Sequence, residues 1–204
     1  MIFFFLGIAV GVAASLGYVP VLAHVIDRAT TTAVTFGTNL TTTGVHHLSA
    51  NHPSLASALG VCLGVALPGL LCLVLVVAAK FGVVLRRAAG GLLVVAGVAG
   101  FFFLPHQQAI LVLGVSAALS ALFMFTTGMF IVAPLGAIAG ALAVSSVRVL
   151  LSGKDQAVNA GIATLTKLSG VNDPQVWKVT LVVLAWSGFV AAVLAALHPA
   201  KISS

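Results

Sequence analysis

Histidine is the residue in this chain best suited to chemistry, and three of its six copies lie close together, His46, His47 and His52. Imidazole nitrogens at short spacing suit a soft or borderline divalent metal. On a helix, however, His46 and His47 diverge by roughly 100°. His52 also follows a break expected at Asn51-His52-Pro53, because proline disfavours helix at the residue before it. The spacing favours polar side chains at the point where a helix leaves a membrane over a metal site. If a metal were held, His46, His47 and His52 would be its ligands; no cofactor is expected.

Carboxylates are scarcer still: Asp27, Asp155 and Asp173 are the whole inventory, with no Glu. Paired-carboxylate catalysis and multi-carboxylate metal sites need more than that, so the chain reads as non-enzymatic. Asp27 adjoins Arg28, and the two charges either neutralise one another or meet partners elsewhere. Thr126-Thr127-Gly128 shares residue types with carbonyl-lined channel filters but lacks the longer Thr-x-Gly-Tyr-Gly pattern. Ala185-Trp186-Ser187-Gly188 lacks the leading Gly of the Gly-x-Ser-Gly of intramembrane serine proteases, and no later helix remains to supply a histidine. Phosphate-binding glycine loops, dinucleotide fingerprints, CxxC pairs and zinc-protease signatures are absent from the sequence. Cys62 and Cys72 sit within one apolar run and read as small buried hydrophobes.

The pattern that organises the chain is a run of hydroxyls. At roughly 100° per residue, His24, Asp27, Arg28, Thr31, Thr35, Thr38, Thr42, His46 and Ser49 share one polar stripe about 100° wide. Ile26, Ala29, Ala33, Phe36, Gly37, Leu40 and Gly44 lie opposite. An ordinary soluble surface would carry Lys and Glu at such positions. A nearly uncharged hydroxyl stripe instead suits a water-filled space inside a membrane assembly, or the headgroup layer.

Composition agrees. The 204 residues are 61% hydrophobic and 6% charged, with a mean hydropathy of +1.24, which excludes a soluble domain. The net charge of +6 is scattered along the chain, and nowhere do basic residues interleave with aromatics as on a nucleic-acid surface. The excess reads as an orientation signal and as lipid-headgroup contact. The expected setting is the plasma (cell) membrane. The expected partners are the lipid bilayer and either further copies of the chain or other membrane subunits.

The elements that must position these residues form a single all-α polytopic membrane helix bundle. Six transmembrane helices are expected, or seven if the Thr-rich stretch spans. Residues 1–22 are a first helix with Gly7 and Gly11 as a contact face and Pro20 as kink or exit. The run opens without a charged n-region, which favours retention over cleavage. An amphipathic Thr-rich helix occupies 23–52. Residues 57–79 span, with Gly60, Gly64 and Gly69 for close packing and Pro68 for a bend. Lys80, Arg86 and Arg87 mark the cytoplasmic side, and 88–104 spans next. Residues 109–147 are apolar for 39 residues, too long for one span at about 1.5 Å per residue. They form a hairpin broken at Thr126-Thr127-Gly128 or at Pro134 and Gly136, or else one span and a re-entrant segment. A short interfacial helix lies within 152–172 and closes at Gly170. Asn172-Asp173-Pro174 opens the last span, 176–197.

These features lead to the expectation of a subunit in an oligomeric or multi-protein channel or translocation assembly, its Thr stripe lining a polar path or meeting a partner. The alternatives are a stand-alone small-solute or ion transporter, and a metal-handling protein using His46, His47 and His52.

Overall fold

Near the start of the chain, local chemistry turns one apolar run into two helices. Helix α1 (Ile2–Ala13) widens into a π-helical turn over Ala14–Tyr18, in which Gly17 has φ 99°, a conformation glycine adopts without steric cost. Val19 is extended and Pro20 occupies the first turn of the next helix, α2 (Pro20–Asn39). Proline pre-sets the backbone for that position and keeps its predecessor out of the helix. The Ile2–Tyr18 and Pro20–Gly44 segments consequently meet at 103°. The first helix therefore stops short of residue 22, and the Thr-rich stretch is its sharply bent continuation, with a second π turn over Leu40–Gly44.

The computed structural model describes residues 2–44, 50–80, 83–125 and 128–198, and among them every regular element is helical. The remaining helices are α3 (Pro53–Lys80), α4 (Val83–Phe103), α5 (His106–Phe125), α6 (Gly128–Ser152), α7 (Gln156–Ser169) and α8 (Pro174–Leu197). Five of them, α3, α4, α5, α6 and α8, are long and apolar enough to cross a membrane, and the bent α1–α2 pair makes six if it is counted as one span. The 109–147 run divides between Phe125 and Gly128, and each half is long enough to cross. Thr126 and Thr127 themselves lie outside the described residues. Pro134 sits inside α6 and does not end it.

Small residues set the helix pairings, as expected where van der Waals packing drives association. Gly7 and Gly11 lie against the backbone of Ala133 and Ala137, while Gly136 and Gly140 face Phe4 and Ile8. This stepwise order runs α1 parallel to α6. Gly69 meets Gly188 where α3 crosses α8. Farther along, Lys80 Nζ donates to the carbonyls of Ala195 at 2.6 Å and Ala196 at 2.7 Å; α3 and α8 are thus parallel. Gly97 against Ser116 and Gly90 against Met124 close the antiparallel α4–α5 hairpin.

The core has two layers. In one, Cys72, Leu75 and Val76 pack with Ile131, Leu135, Phe189 and Ala192. In the other, Val61 and Val65 pack with Val149, Leu150, Leu181 and Ala185. Helix α6 is therefore antiparallel to α3 and α8, which places Arg148, Lys154 and Lys178 at the opposite end of the bundle from Lys80. Positive charge sits at both ends, and the positive-inside tendency chooses neither. Exposed Leu92, Val95, Phe102, Val115 and Phe125 coat the α4–α5 hairpin, the composition of a lipid-facing surface.

Helix α7 closes at Gly170 as the sequence predicts, and the structure adds an N-terminal cap. Asp155 accepts from the amides of Ala157 at 2.9 Å and Val158 at 3.1 Å, and Gly170 ends the helix at φ 73°. Its apolar face is turned onto the bundle, with Gly161 against Val61. Asp173 caps α8 through Gln175 N at 2.9 Å, with Pro174 in the first turn.

Candidate functional site

The bend after Tyr18 brings three elements together around one carboxylate. Asp27 lies two turns into α2, Ser15 lies in the preceding π turn, and Ser145 and Arg148 lie on one face of α6. Arg148 Nη1 donates to Asp27 Oδ2 at 3.0 Å. Ser145 Oγ donates to Asp27 Oδ1 at 2.7 Å, and Thr30 Oγ1 donates to Ser145 Oγ at 2.8 Å. Arg148 Nη2 donates to the Ser15 carbonyl. In a π turn a carbonyl accepts from the amide five residues on; for Ser15 that residue is Pro20, which has no N–H, and the guanidinium supplies the donor.

The seam runs from half-exposed to fully buried. The side chains of Arg148 and Asp27 retain 39% and 29% of their exposure, whereas Ser15 and Ser145 are at 0% and Thr30 at 6%. Beyond Thr30, between α2, α3 and α6, lies a cavity of about 10 Å³ whose lining includes Thr30, Gly64, Pro68, Ser146 and Phe189. Ser146 Oγ is turned to its own helix, donating to Ala143 O at 2.8 Å.

The Thr stripe itself is half-buried, and its hydroxyls close onto α2. Thr35 donates to Thr31 O at 3.0 Å, Thr38 to Val34 O at 2.9 Å and Thr42 to Thr38 O at 2.8 Å, the back-bonding that lets threonine sit in an apolar helix. Two threonines beside the stripe reach other elements: Thr30 meets α6, and buried Thr41 donates to Ala56 O of α3 at 2.8 Å. His24 and Arg28 are exposed. Asp27 and Arg28 do not neutralise one another. Asp27 pairs with Arg148, while Arg28 Nη2 donates to Gln107 Oε1 at 3.3 Å across the α4–α5 turn. Asn39 Nδ2 donates to Phe103 O of the same turn at 2.8 Å.

His46, His47 and Ser49 lie outside the described residues, and His52 is exposed. Among the described residues no group of three His, Cys, Asp or Glu side chains is placed to hold a metal. Cys62 is half-buried and Cys72 buried, both as free thiols.

Sequence reasoning selected Asp27 but missed its partners Ser145 and Arg148 and, behind them, Thr30 and Ser15. One signal was present. Ser145 and Arg148 are three residues apart in an otherwise apolar run, which places a hydroxyl and a charge on one face of a membrane helix. Chemically the seam is not an activated nucleophile. Ser145 gives its proton to Asp27 Oδ1, and among the described residues no imidazole lies within hydrogen-bond reach of it to act as a base. Its hydrogen-bonded oxygens suit the holding of water or of small hydrated species. No protein family matches the chain, and neither a characterised protein nor a solved structure resembles it.

Proposed function

We propose that this protein is a non-enzymatic integral subunit of a channel or translocation assembly in the plasma membrane, formed by several copies of the chain or with other membrane subunits. The observation that carries this reading is the Thr30–Ser145–Asp27–Arg148–Ser15 seam, polar side chains of three elements gathered in an otherwise apolar bundle. Ionisable side chains paired across the helices of a membrane bundle are functional by default. The cavity at the inner end of the seam, about 10 Å³, is too narrow for a solute. A conduit would therefore form where the half-buried hydroxyl face of α2 meets another chain.

The test is reconstitution in liposomes with parallel measurement of ion or solute flux and oligomeric state. Flux from an oligomer, abolished by Asp27→Asn and Arg148→Gln without loss of assembly, supports the proposal. A strictly monomeric protein that conducts nothing overturns it. A stand-alone transporter is the second reading, favoured by the 103° bend between the α1 and α2 segments, a joint clasped by the Arg148 contacts. Uptake by reconstituted monomers would distinguish it.

A further inference from the structure

We infer that the cavity between α2, α3 and α6 binds one water molecule, held by the Gly64 carbonyl and the Thr30 and Ser146 hydroxyls. This extends the polar seam inward but does not require that the seam conduct.

Pro68 lies inside α3. Proline has no N–H, so the carbonyl four residues earlier, that of Gly64, is deprived of its helical donor. In a membrane span, water cannot reach such a carbonyl from lipid, and ordered internal water is one of the usual remedies. Gly64 and Pro68 both line this cavity, together with Thr30 and Ser146.

The protons then decide the occupant. Thr30 gives its proton to Ser145 Oγ at 2.8 Å, or to Ile26 O at 3.2 Å, and Ser146 gives its proton to Ala143 O at 2.8 Å. Three oxygens therefore offer lone pairs, and a molecule with two protons to donate fits them. The volume of about 10 Å³ matches the roughly 10–15 Å³ that one water needs, with two to four polar partners. The rest of the wall includes Val34, Val65, Leu150 and Phe189, so a hard cation, which takes about six oxygens or more, would be under-coordinated.

The experiment is radiolytic hydroxyl-radical footprinting of the full chain in detergent, read by mass spectrometry at Leu150, which lines the cavity, and at Leu135, which does not. The two are the same residue type and equally hidden from solvent, at 1% and 0% exposure, and differ in access to the proposed water. Labelling of Leu150 should exceed that of Leu135 by about fivefold or more. It should fall to the Leu135 level in Thr30→Val/Ser146→Ala, where only one of the three acceptors remains. Pro68→Ala restores an N–H for Gly64 and should also lower Leu150 labelling, a second reading if the double variant does not fold. Equal labelling of Leu150 and Leu135 in the unmodified chain overturns the inference, as does Leu150 labelling that no folded variant alters. Flux plays no part in the readout, so a chain that conducts nothing yet labels at Leu150 keeps the water site and loses only the proposed function.

Discussion

Asp27 and Arg148, 121 residues apart in the chain, close an ion pair at 3.0 Å, and the same guanidinium reaches the Ser15 carbonyl on the other side of the α1–α2 bend. Arg148 is thus a clasp, fixing both arms of the bend to α6. Because the Arg148 side chain is 39% exposed, solvent screening keeps the coupling near the range of surface pairs, about 0.5–1 kcal/mol. A double-mutant cycle of Asp27→Asn and Arg148→Gln, followed by thermal unfolding in detergent, should return a coupling of that size. Arg148→Gln should be the more damaging single change, since it also deprives Ser15 O of its donor. Purely additive effects would remove the clasp.

The threonines should divide into two groups. Thr35 and Thr42 bond only to carbonyls of their own helix, so Thr35→Val and Thr42→Val should change folding stability by no more than about 0.5 kcal/mol. Thr30 and Thr41 tie α2 to α6 and α3, and valine at either position should cost about 1–2 kcal/mol. Denaturation of the four single variants in detergent decides the matter. If Thr35→Val leaves stability intact yet weakens oligomer formation, the hydroxyl face of α2 acquires the partner role proposed for it.

This division marks where sequence reasoning stops. A helical projection found the stripe because periodicity is local, but which edge of it is buried depends on where α3 and α6 lie, and no spacing within α2 encodes that. The caps at Gly170 and Asp173-Pro174 were legible for the same local reason, since each acts on backbone groups within a turn of itself; the Asp155 cap acts as locally but was not singled out. The Gly7 and Gly11 contact face was also legible, since close helix approach requires small residues at that interval. Pro20 was legible as a kink or exit, but the part Gly17 plays in the bend was not, because glycine permits a positive φ without requiring it. The partner of Asp27 was likewise hidden by long sequence separation. Arg148 read as an orientation charge because its distance from the nearest acid along the chain carries no information about its distance in space.

Glycine positions give a sharper contrast. A β-carbon on Gly11 would collide with the Ala137 backbone and one on Gly188 with the Gly69 backbone, whereas Gly91 and Gly114 open onto free space. Gly11→Val and Gly188→Val should each lower stability by about 3 kcal/mol or prevent folding, because backbone cannot yield as a flexible side chain does. Gly91→Ala and Gly114→Ala should be neutral or stabilising by up to about 1 kcal/mol through helix propensity alone. Midpoints of thermal unfolding for the four variants test the α1–α6 and α3–α8 crossings together, and equal losses at all four would contradict the described packing.

Lys80 offers a test at the opposite end of the bundle from Arg148. A helix leaves its last carbonyls without internal donors, and the Lys80 ammonium supplies bonds to Ala195 O, Ala196 O and His198 O at the end of α8. It also places positive charge where the helix dipole is negative. Lys80→Met preserves the apolar stem and removes these donors. The last turn of α8 should then fray, and amide exchange over Ala195–His198 should speed up by about tenfold, the equivalent of one charge-assisted hydrogen bond of roughly 1.4 kcal/mol. Exchange around Gly188, where α3 and α8 are held by glycine contact and not by Lys80, should not change. Faster exchange along the whole of α8 would mean that Lys80 supports the α3–α8 pair as a unit; no change at Ala195–His198 would show that the carbonyls are served by other donors.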